Sequence, residues 1–270
     1  MADKINNIGK LFYKDYYKEV KWENILFAKT DEDKVLKIDN TIKKSQLFEI
    51  NKPISDINST IPATIQYPGL VTGVGLTHDA KVGYKLGMHF DYTYGMPIVY
   101  GSSVKGVLKT YFKDFFLKHY PDRESDVESL MKLIFEGKNP EYDEKKDTPK
   151  YISIYERDVF FDAVIVDSYE GHFLEDDFIT PHPDPLKNPT PIKMLKIAPG
   201  CKIEFRFKLN NHKIKDREYT SDFKLNNHKI KYREYTSDFI LKIFEDILTT
   251  VGIGAKTNVG YGQLSVIKEK

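Results

Sequence analysis

The sequence has little of what marks a secreted, membrane-spanning or strongly charged protein. Its 270 residues include one cysteine, Cys201, so the chain cannot form a disulfide framework or a four-cysteine zinc site by itself. It has no run of ~18 apolar residues, which excludes an ordinary membrane-spanning helix. Residues 1–7 are polar and charged, unlike a signal peptide, so we expect a cytoplasmic protein with no membrane contact.

An excess of positive charge is also missing. Lys and Arg total 41 against 40 for Asp and Glu, a formal net charge of +1. Any nucleic acid must therefore bind a local patch rather than a generally basic surface. Hydrophobic residues make up 40%, which is enough for a sizeable core in a chain of this length.

The chain divides unevenly. We predict that residues 1–60 form an N-terminal extension packed on the core and that residues 61–270 form the main domain. Residues 167–200 are rich in proline and acids, and we interpret them as an irregular insertion. Asp176 and Asp177 in that insertion have the chemistry of general acid–base groups, but the favoured interpretation is a solvated loop.

Residues 208–239 contain a tandem duplication. The sixteen residues 208–223 are repeated as 224–239 with one difference, Asp216 against Tyr232. Two copies are too few for a solenoid. We expect one copy to connect a strand to a helix and the other to loop out.

Hydrophobic periodicity predicts the remaining elements. Alternating apolar residues indicate a half-buried strand over 201–209, and a continuous apolar run indicates a central strand over 158–166. β-branched residues favour a strand over 69–76. Apolar residues at helical spacing follow residues 103 and 238, where serine, threonine and aspartate are suitable N-caps. The order predicts an α+β fold with helices on one face of the sheet, of the RRM-like or ferredoxin-like split βαβ kind.

A glycine-rich loop over residues 252–262 follows the last predicted helix. It reads Gly-Ile-Gly-Ala-Lys-Thr-Asn-Val-Gly-Tyr-Gly, and we expect Gly252 or Gly254 to end the helix in the left-handed conformation. It matches neither the P-loop nor the dinucleotide-binding motif, which argues against a nucleotide hydrolase. A lysine with hydroxyl and amide donors suits a polyanion backbone; the alternative is a C-cap followed by a tight turn.

A second lysine–glycine motif, Gly-Ser-Ser-Val-Lys-Gly, occupies residues 101–106 at the start of a predicted helix, with Ser102 or Ser103 as its N-cap. Lys105 in the first turn opposes the helix dipole. A phosphate at the helix start would account for it, because free N–H groups point outward there. The alternative is an ordinary surface lysine.

Histidines and aspartates near residue 80 raise the question of a metal. His78, Asp79, His89 and Asp91 fall within fourteen residues, but their spacing matches no named metal motif. Polar loop residues are the favoured interpretation, and we expect neither a metal nor a cofactor.

Several segments together resemble the RAMP superfamily of CRISPR-associated proteins. They are residues 101–106 and 252–262, supported by residues 75–78, 94–97, 160–163 and 179–182. The resemblance covers about residues 69–267 and is closest to the sixth RAMP subunit of Cmr (type III-B) effector complexes. It implies an RRM-like fold and a non-catalytic role in antiviral defence. Such a subunit binds guide RNA near its 3′ end, helps hold target RNA, and assembles with other RAMP subunits.

The resemblance also implies site residues. Ser102, Ser103, Lys105, Lys256, Thr257 and Asn258 would contact phosphates or 2′-hydroxyls, while Gly254 and Gly260 would permit backbone approach. Lys105 and Lys256 would then lie at two ends of one groove across the sheet. Two alternatives remain: a metal-independent RNA-processing endonuclease with His78 as general base, and a purely structural adaptor.

Overall fold

The computed structural model describes residues 7–15, 18, 29–47, 55–75, 83–141, 150–180, 191–215 and 232–267. The helices are α1 Ile8–Lys10, continued by a π-helical turn Leu11–Asp15, then α2 Lys29–Lys43, α3 Gly101–His119, α4 Glu124–Glu136 and α5 Ser237–Val251. Short 3-10 turns occupy Ile154–Glu156 and Thr257–Val259. The strands are β1 Ser59–Ile65, β2 Val74–Gly75, β3 Leu86–Gly87, β4 His89–Phe90, β5 Pro97–Val99, β6 Val159–Phe160, β7 Ala163–Asp167, β8 Leu174–Ile179, β9 Ile192–Ile197, β10 Lys202–Lys208, β11 His212–Lys215, β12 Tyr232–Tyr235 and β13 Leu264–Val266.

The main sheet has the strand order β13-β1-β10-β7-β5-β4, and β6 also pairs with β10. Its neighbouring strands are antiparallel. The predicted α+β architecture, an antiparallel sheet with helices, is confirmed.

Helices cover one face of this sheet. Alternate residues of β10 are buried, as the sequence pattern predicted, and β1, which was not predicted, shows the same alternation. Phe207 on β10 packs against Phe244 on α5 at 5.4 Å between ring centroids, and Phe244 lies 6.1 Å from Phe112 on α3. Burying each phenylalanine contributes roughly 1.5–3 kcal/mol, so these rings account for much of the adhesion between helices and sheet.

The predicted central strand over 158–166 is two strands. β7 does lie inside the sheet, between β10 and β5. The strand is interrupted after β6 because Asp162 bonds to the start of α3: its Oδ1 accepts from the Gly101 N–H at 2.7 Å. The interruption therefore has a structural use.

A second sheet has the order β2-β3-β9-β8 and corrects two predictions. Residues 167–200 are not wholly irregular, since β8 and β9 pair over six residues each. The predicted strand over 69–76 is reduced to a bridge at Leu70 and the short β2. Asp176 and Asp177 lie on β8 rather than in a solvated loop, and Lys43 and Lys196 neutralise them at 2.7 and 2.9 Å.

The duplicated segment contributes four residues of each copy to one pair of strands. β11 comes from the first copy and β12 from the second, and they pair antiparallel. Hydrogen bonds fix both strands. His212 Nε2 lies 2.7 Å from a carboxylate oxygen of Asp158, and the Tyr235 hydroxyl donates to the Asp126 carboxylate at 2.6 Å. The described link between β10 and α5 therefore draws residues from both copies, and the looping out of sixteen residues stays a prediction. The sixteen residues 216–231 lie outside the described residues.

The ends of α5 follow the sequence closely. Thr236 caps the helix, its side chain accepting from the Phe239 N–H at 3.2 Å, as the predicted cap cluster requires. The helix ends at Gly252, as expected, but the backbone there has φ 78° and ψ −174° and is not left-handed helical. Gly252 thus directs the chain straight into the glycine-rich loop.

Candidate nucleic-acid interface

The glycine-rich loop closes on itself and on the turn that follows β1. The Ile253 N–H donates to the Gly262 carbonyl at 3.0 Å, which closes the loop at its base. The Gly262 N–H donates to Gly69 at 2.8 Å, and the Ala255 N–H donates to Val71 at 2.7 Å. The loop is therefore held in one shape by main-chain bonds, whatever its side chains do.

Contacts within the chain explain why glycine occupies two positions of the loop, 254 and 262. A Cβ at Gly254 would collide with the Val71 carbonyl, and one at Gly262 would collide with the Ile253 carbonyl. Both residues also have positive φ. Gly260, at φ +97°, faces more open space, with only Pro68 Cδ near, 3.6 Å from where its Cβ would lie. Contact of Gly254 or Gly260 with RNA stays a prediction.

Lys256 is the exceptional residue of the loop. Its backbone is left-handed, at φ 62° and ψ 31°, a conformation shared among non-glycine residues of the described chain only with Glu170. That conformation costs a non-glycine residue about 1–2 kcal/mol. The Lys256 carbonyl accepts from the N–H groups of Val259 and Tyr261 at 3.1 and 3.3 Å, which fixes the residue in place. A lysine held where glycine would fit better points to a use for its side chain.

The surroundings of Lys256 leave its charge available. Among the residues that the structure describes, no ion pair involves its ammonium group, and the side chain is half-buried. Thr257 and Asn258 continue the loop as a short 3-10 turn, Thr257 half-buried and Asn258 exposed. A cation, a hydroxyl and an amide thus stand in sequence on a rigid main chain.

Tyr261 attaches the loop to the second sheet. Its hydroxyl donates to Asp177 on β8 at 2.8 Å, and Lys196 also donates to that carboxylate at 2.9 Å. Burial and the Asp177 bond raise the pKa of Tyr261 to about 12. Burial alone would raise the pKa of Asp177, but the bonds from Lys196 and Tyr261 outweigh it and hold the pKa below its usual value. Sequence reasoning missed this contact because 84 positions separate the partners.

The start of α3 is built differently. The predicted serine caps are wrong, because the helix begins at Gly101 with Tyr100 as its N-cap and no side-chain cap bond from Tyr100. The N–H groups of Ser103 and Val104 donate to the Tyr100 carbonyl at 2.8 and 3.1 Å. Ser102 and Ser103 are exposed in the first turn.

Asp162 occupies the position predicted for a phosphate. With the Gly101 N–H donating to its carboxylate, an anion of the chain itself already lies at the positive end of the α3 dipole. Gly101 fits so closely that a Cβ there would collide with the Phe160 carbonyl. The Lys105 ammonium lies 5.6 Å from the centre of the Phe160 ring. Gly101 in this motif therefore has a packing explanation, and contact of the residues of the motif with RNA stays a prediction.

The fold separates the two motifs rather than joining them. Because adjacent strands alternate in direction from β1 through β10 and β7 to β5, the ends of β1 and β5 lie at opposite ends of the sheet. The glycine-rich loop adjoins the end of β1, and α3 follows the end of β5. Three strand spacings, or ~14 Å, also separate them across the sheet. Lys105 and Lys256 do not form one compact site; one groove joining them stays a prediction.

The remaining histidine, aspartate and cysteine candidates do not form a metal site within the described residues. His78 and Asp79 lie outside the described residues. His89 packs on Tyr100 at 4.3 Å between ring centroids, and burial lowers its pKa. Burial raises the pKa of the Cys201 thiol to about 11, so it is not a thiolate at neutral pH. Within the described ranges, no three His, Cys, Asp or Glu side chains are grouped for a metal, and no helix is long and apolar enough to cross a membrane.

A comparison with protein families gives the class of this α+β chain. Residues 63–265 match the sequence model of the RAMP superfamily, and the chain belongs to that superfamily. A search of curated proteins finds no significant match.

Solved structures give more distant likenesses. A chain of the type III-B Cmr-beta complex bound to cognate target RNA is 19% identical with a TM-score of 0.46; the match covers 77% of this chain and 58% of that one. Cmr6 from Pyrococcus furiosus is 18% identical with a TM-score of 0.39, covering 80% and 100%. A chain of Cmr-beta in the apo state is 12% identical with a TM-score of 0.41, covering 78% and 98%.

Proposed function

We propose that this protein is a non-catalytic, RNA-binding subunit of a type III-B CRISPR effector complex. In this proposal it works in the cytoplasm, binds guide RNA near its 3′ end, helps hold target RNA and contacts other RAMP subunits. Membership of the RAMP superfamily supports the general class. The motifs of residues 101–106 and 252–262 carry the finer assignment.

One observation carries the RNA-binding part: Lys256 is held in a left-handed backbone conformation on a loop fixed by main-chain bonds. The strain is tolerated because the loop is rigid, and a rigid cation binds a phosphate without first losing backbone freedom. The exposed amide of Asn258 and the hydroxyl of Thr257 supply donors for phosphate or 2′-hydroxyl oxygens.

The strand order supports the RRM-like assignment. β1 and β7 run in the same direction with β10 between them, and α3 and α4 lie between β1 and β7 in the chain. Similarly, α5 lies between β10 and β13, which run in the same direction with β1 between them. Two interleaved units of this kind are what a split βαβ fold contains.

The direct test is a salt titration of RNA binding by the full chain. Lys256→Ala should weaken binding of a labelled single-stranded RNA and reduce the slope of log K against log salt by about 0.7 to 1, the value of one phosphate contact. Lys132→Ala on the exposed side of α4 is the matched control and should leave the slope unchanged. Equal slopes for wild type and Lys256→Ala would overturn the assignment of Lys256.

Two further outcomes separate the alternatives. Incubation with labelled precursor RNA without metal should leave the RNA intact; cleavage that is lost in His78→Ala would make the protein an endonuclease. If Lys105→Ala/Lys256→Ala assembles with its sibling subunits and its RNA affinity and salt slope match those of wild type, the assignment of these lysines as RNA contacts is wrong, as the structural-adaptor alternative requires.

A further inference from the structure

The turn after β1 exposes an aromatic ring beside the glycine-rich loop. Tyr67 is 84% exposed to solvent, although tyrosine normally buries much of its ring. We infer that Tyr67 is a stacking platform for an unpaired RNA base whose phosphate lies at Lys256. This inference rests on the proposed function and specifies how the same site holds a nucleotide.

Main-chain bonds hold Tyr67 next to the loop. The Gln66 N–H donates to the Gln263 carbonyl at 2.9 Å, and the Gly69 carbonyl accepts from the Gly262 N–H at 2.8 Å. The turn is also closed internally, since the Gly69 N–H donates to Gln66 at 2.8 Å. Tyr67 lies between two points fixed to the loop, so its ring is carried by a rigid support.

The exposed groups of the loop bonded to this turn have the chemistry of a nucleotide site. Val259 on the loop is 63% exposed, Asn258 is exposed, and Lys256 has no ion pair within the described residues. A nucleotide needs a flat apolar partner for its base, hydrogen-bonding groups for its edges and a cation for its phosphate. The turn after β1 and the glycine-rich loop, joined by main-chain bonds, carry all three.

An RNA base fits this surface better than a partner protein does. A protein hot spot is a packed apolar centre enclosed by other contacts. Here a single ring, 84% exposed, stands on a turn bonded to a lysine-bearing loop, and so exposed a ring is accessible for stacking.

Base stacking makes a prediction that differs from that of a phosphate contact. With the full chain and a short single-stranded RNA, Tyr67→Ala should weaken binding about 5- to 150-fold and leave the salt slope unchanged. Tyr67→Phe keeps the ring face and should bind like wild type. Tyr92→Ala is the matched control, because Tyr92 is 101% exposed on the β4–β5 turn at the opposite edge of the sheet.

A second measurement reports stacking itself. In an RNA carrying 2-aminopurine at successive positions, one position should lose emission on binding wild type and Tyr67→Phe and keep it with Tyr67→Ala. Wild-type binding by Tyr67→Ala while Lys256→Ala reduces the slope would overturn the stacking site and leave the proposed function intact. Loss of binding in Tyr67→Phe equal to that in Tyr67→Ala would also overturn it. A wild-type chain that binds no RNA would overturn both.

Discussion

The two lysine–glycine segments resemble each other in sequence and are built for different physical tasks. At the start of α3, the chain satisfies its own N–H groups with the Asp162 carboxylate and the Tyr100 carbonyl. In the glycine-rich loop, the main chain is closed by its own bonds while Lys256 is kept in a strained conformation. The first segment closes a helix start; the second presents a cation.

The difference shows why a motif alone does not define a site. Glycine at 101 is required because the Phe160 carbonyl leaves no room for a side chain. At position 256 the case is reversed: the residue present is lysine, although glycine would adopt this backbone conformation with less strain. A residue that fits its place needs no function to explain it, whereas a strained one such as Lys256 motivates a hypothesis of function.

The largest expected effect tests whether the α3 start is closed by packing. Gly101→Ala should destabilise the fold by about 3 kcal/mol or more, because its Cβ meets backbone that cannot move aside. Gly106, in the same motif, has nothing within 4 Å of its Cβ position, so Gly106→Ala should stabilise the helix by about 0.5–1 kcal/mol. Urea unfolding measures both. Similar values for the two variants would contradict the packing explanation.

The next effect tests the strain at Lys256. Lys256→Gly should stabilise the protein by about 1 kcal/mol, since glycine adopts the left-handed conformation freely, while RNA binding weakens. Glu170→Gly is the control: it also has positive φ and should stabilise similarly with RNA binding unchanged. Thermal unfolding measures the stability of both variants, and the RNA titration measures their RNA affinity. Loss of stability in Lys256→Gly would mean that the lysine side chain supports the loop.

A smaller effect concerns the anion at the α3 start. Asp162→Asn keeps an acceptor for the Gly101 N–H but removes the negative charge, which should cost about 0.3–1 kcal/mol of stability. If RNA passes this helix start, Asp162→Asn should strengthen RNA binding about 2- to 5-fold, because the substitution removes a negative charge that repels phosphate. Unchanged RNA affinity in Asp162→Asn would place RNA away from α3 and leave the glycine-rich loop as the contact.

The smallest effect is the pH dependence of the contact between the loop and β8. The folded-state pKa of Asp177 is below its usual value, so its contribution is present above about pH 4 and is lost as pH falls through the folded pKa. Tyr261→Phe should cost less than about 0.5 kcal/mol at pH 7, because the site is partly exposed, and less again once Asp177 is protonated, because a neutral carboxyl group is a weaker acceptor. Unfolding of both proteins between pH 3 and 7 checks this. A difference that is constant with pH would exclude Asp177 as the partner.

Much of the fold follows from local patterns. The alternation in β10 and the helical period of α5 predicted both elements, because each pattern matches one buried face. The insertion over residues 167–200 misled sequence reasoning because the charges of β8 conceal its strand pattern. Those charges are paired with Lys43 and Lys196, which lie elsewhere in the sequence or on the neighbouring strand.

The candidate site divides in the same way. The sequence by itself determined the glycine-rich loop, its lysine and the superfamily, because these depend on residue types at short spacing. Only the tertiary structure decided that Asp162 stands at the start of α3, that Tyr67 is carried beside the loop, and that the two motifs lie at opposite ends of the sheet. These facts depend on strand order and on contacts between distant residues, which no local pattern records.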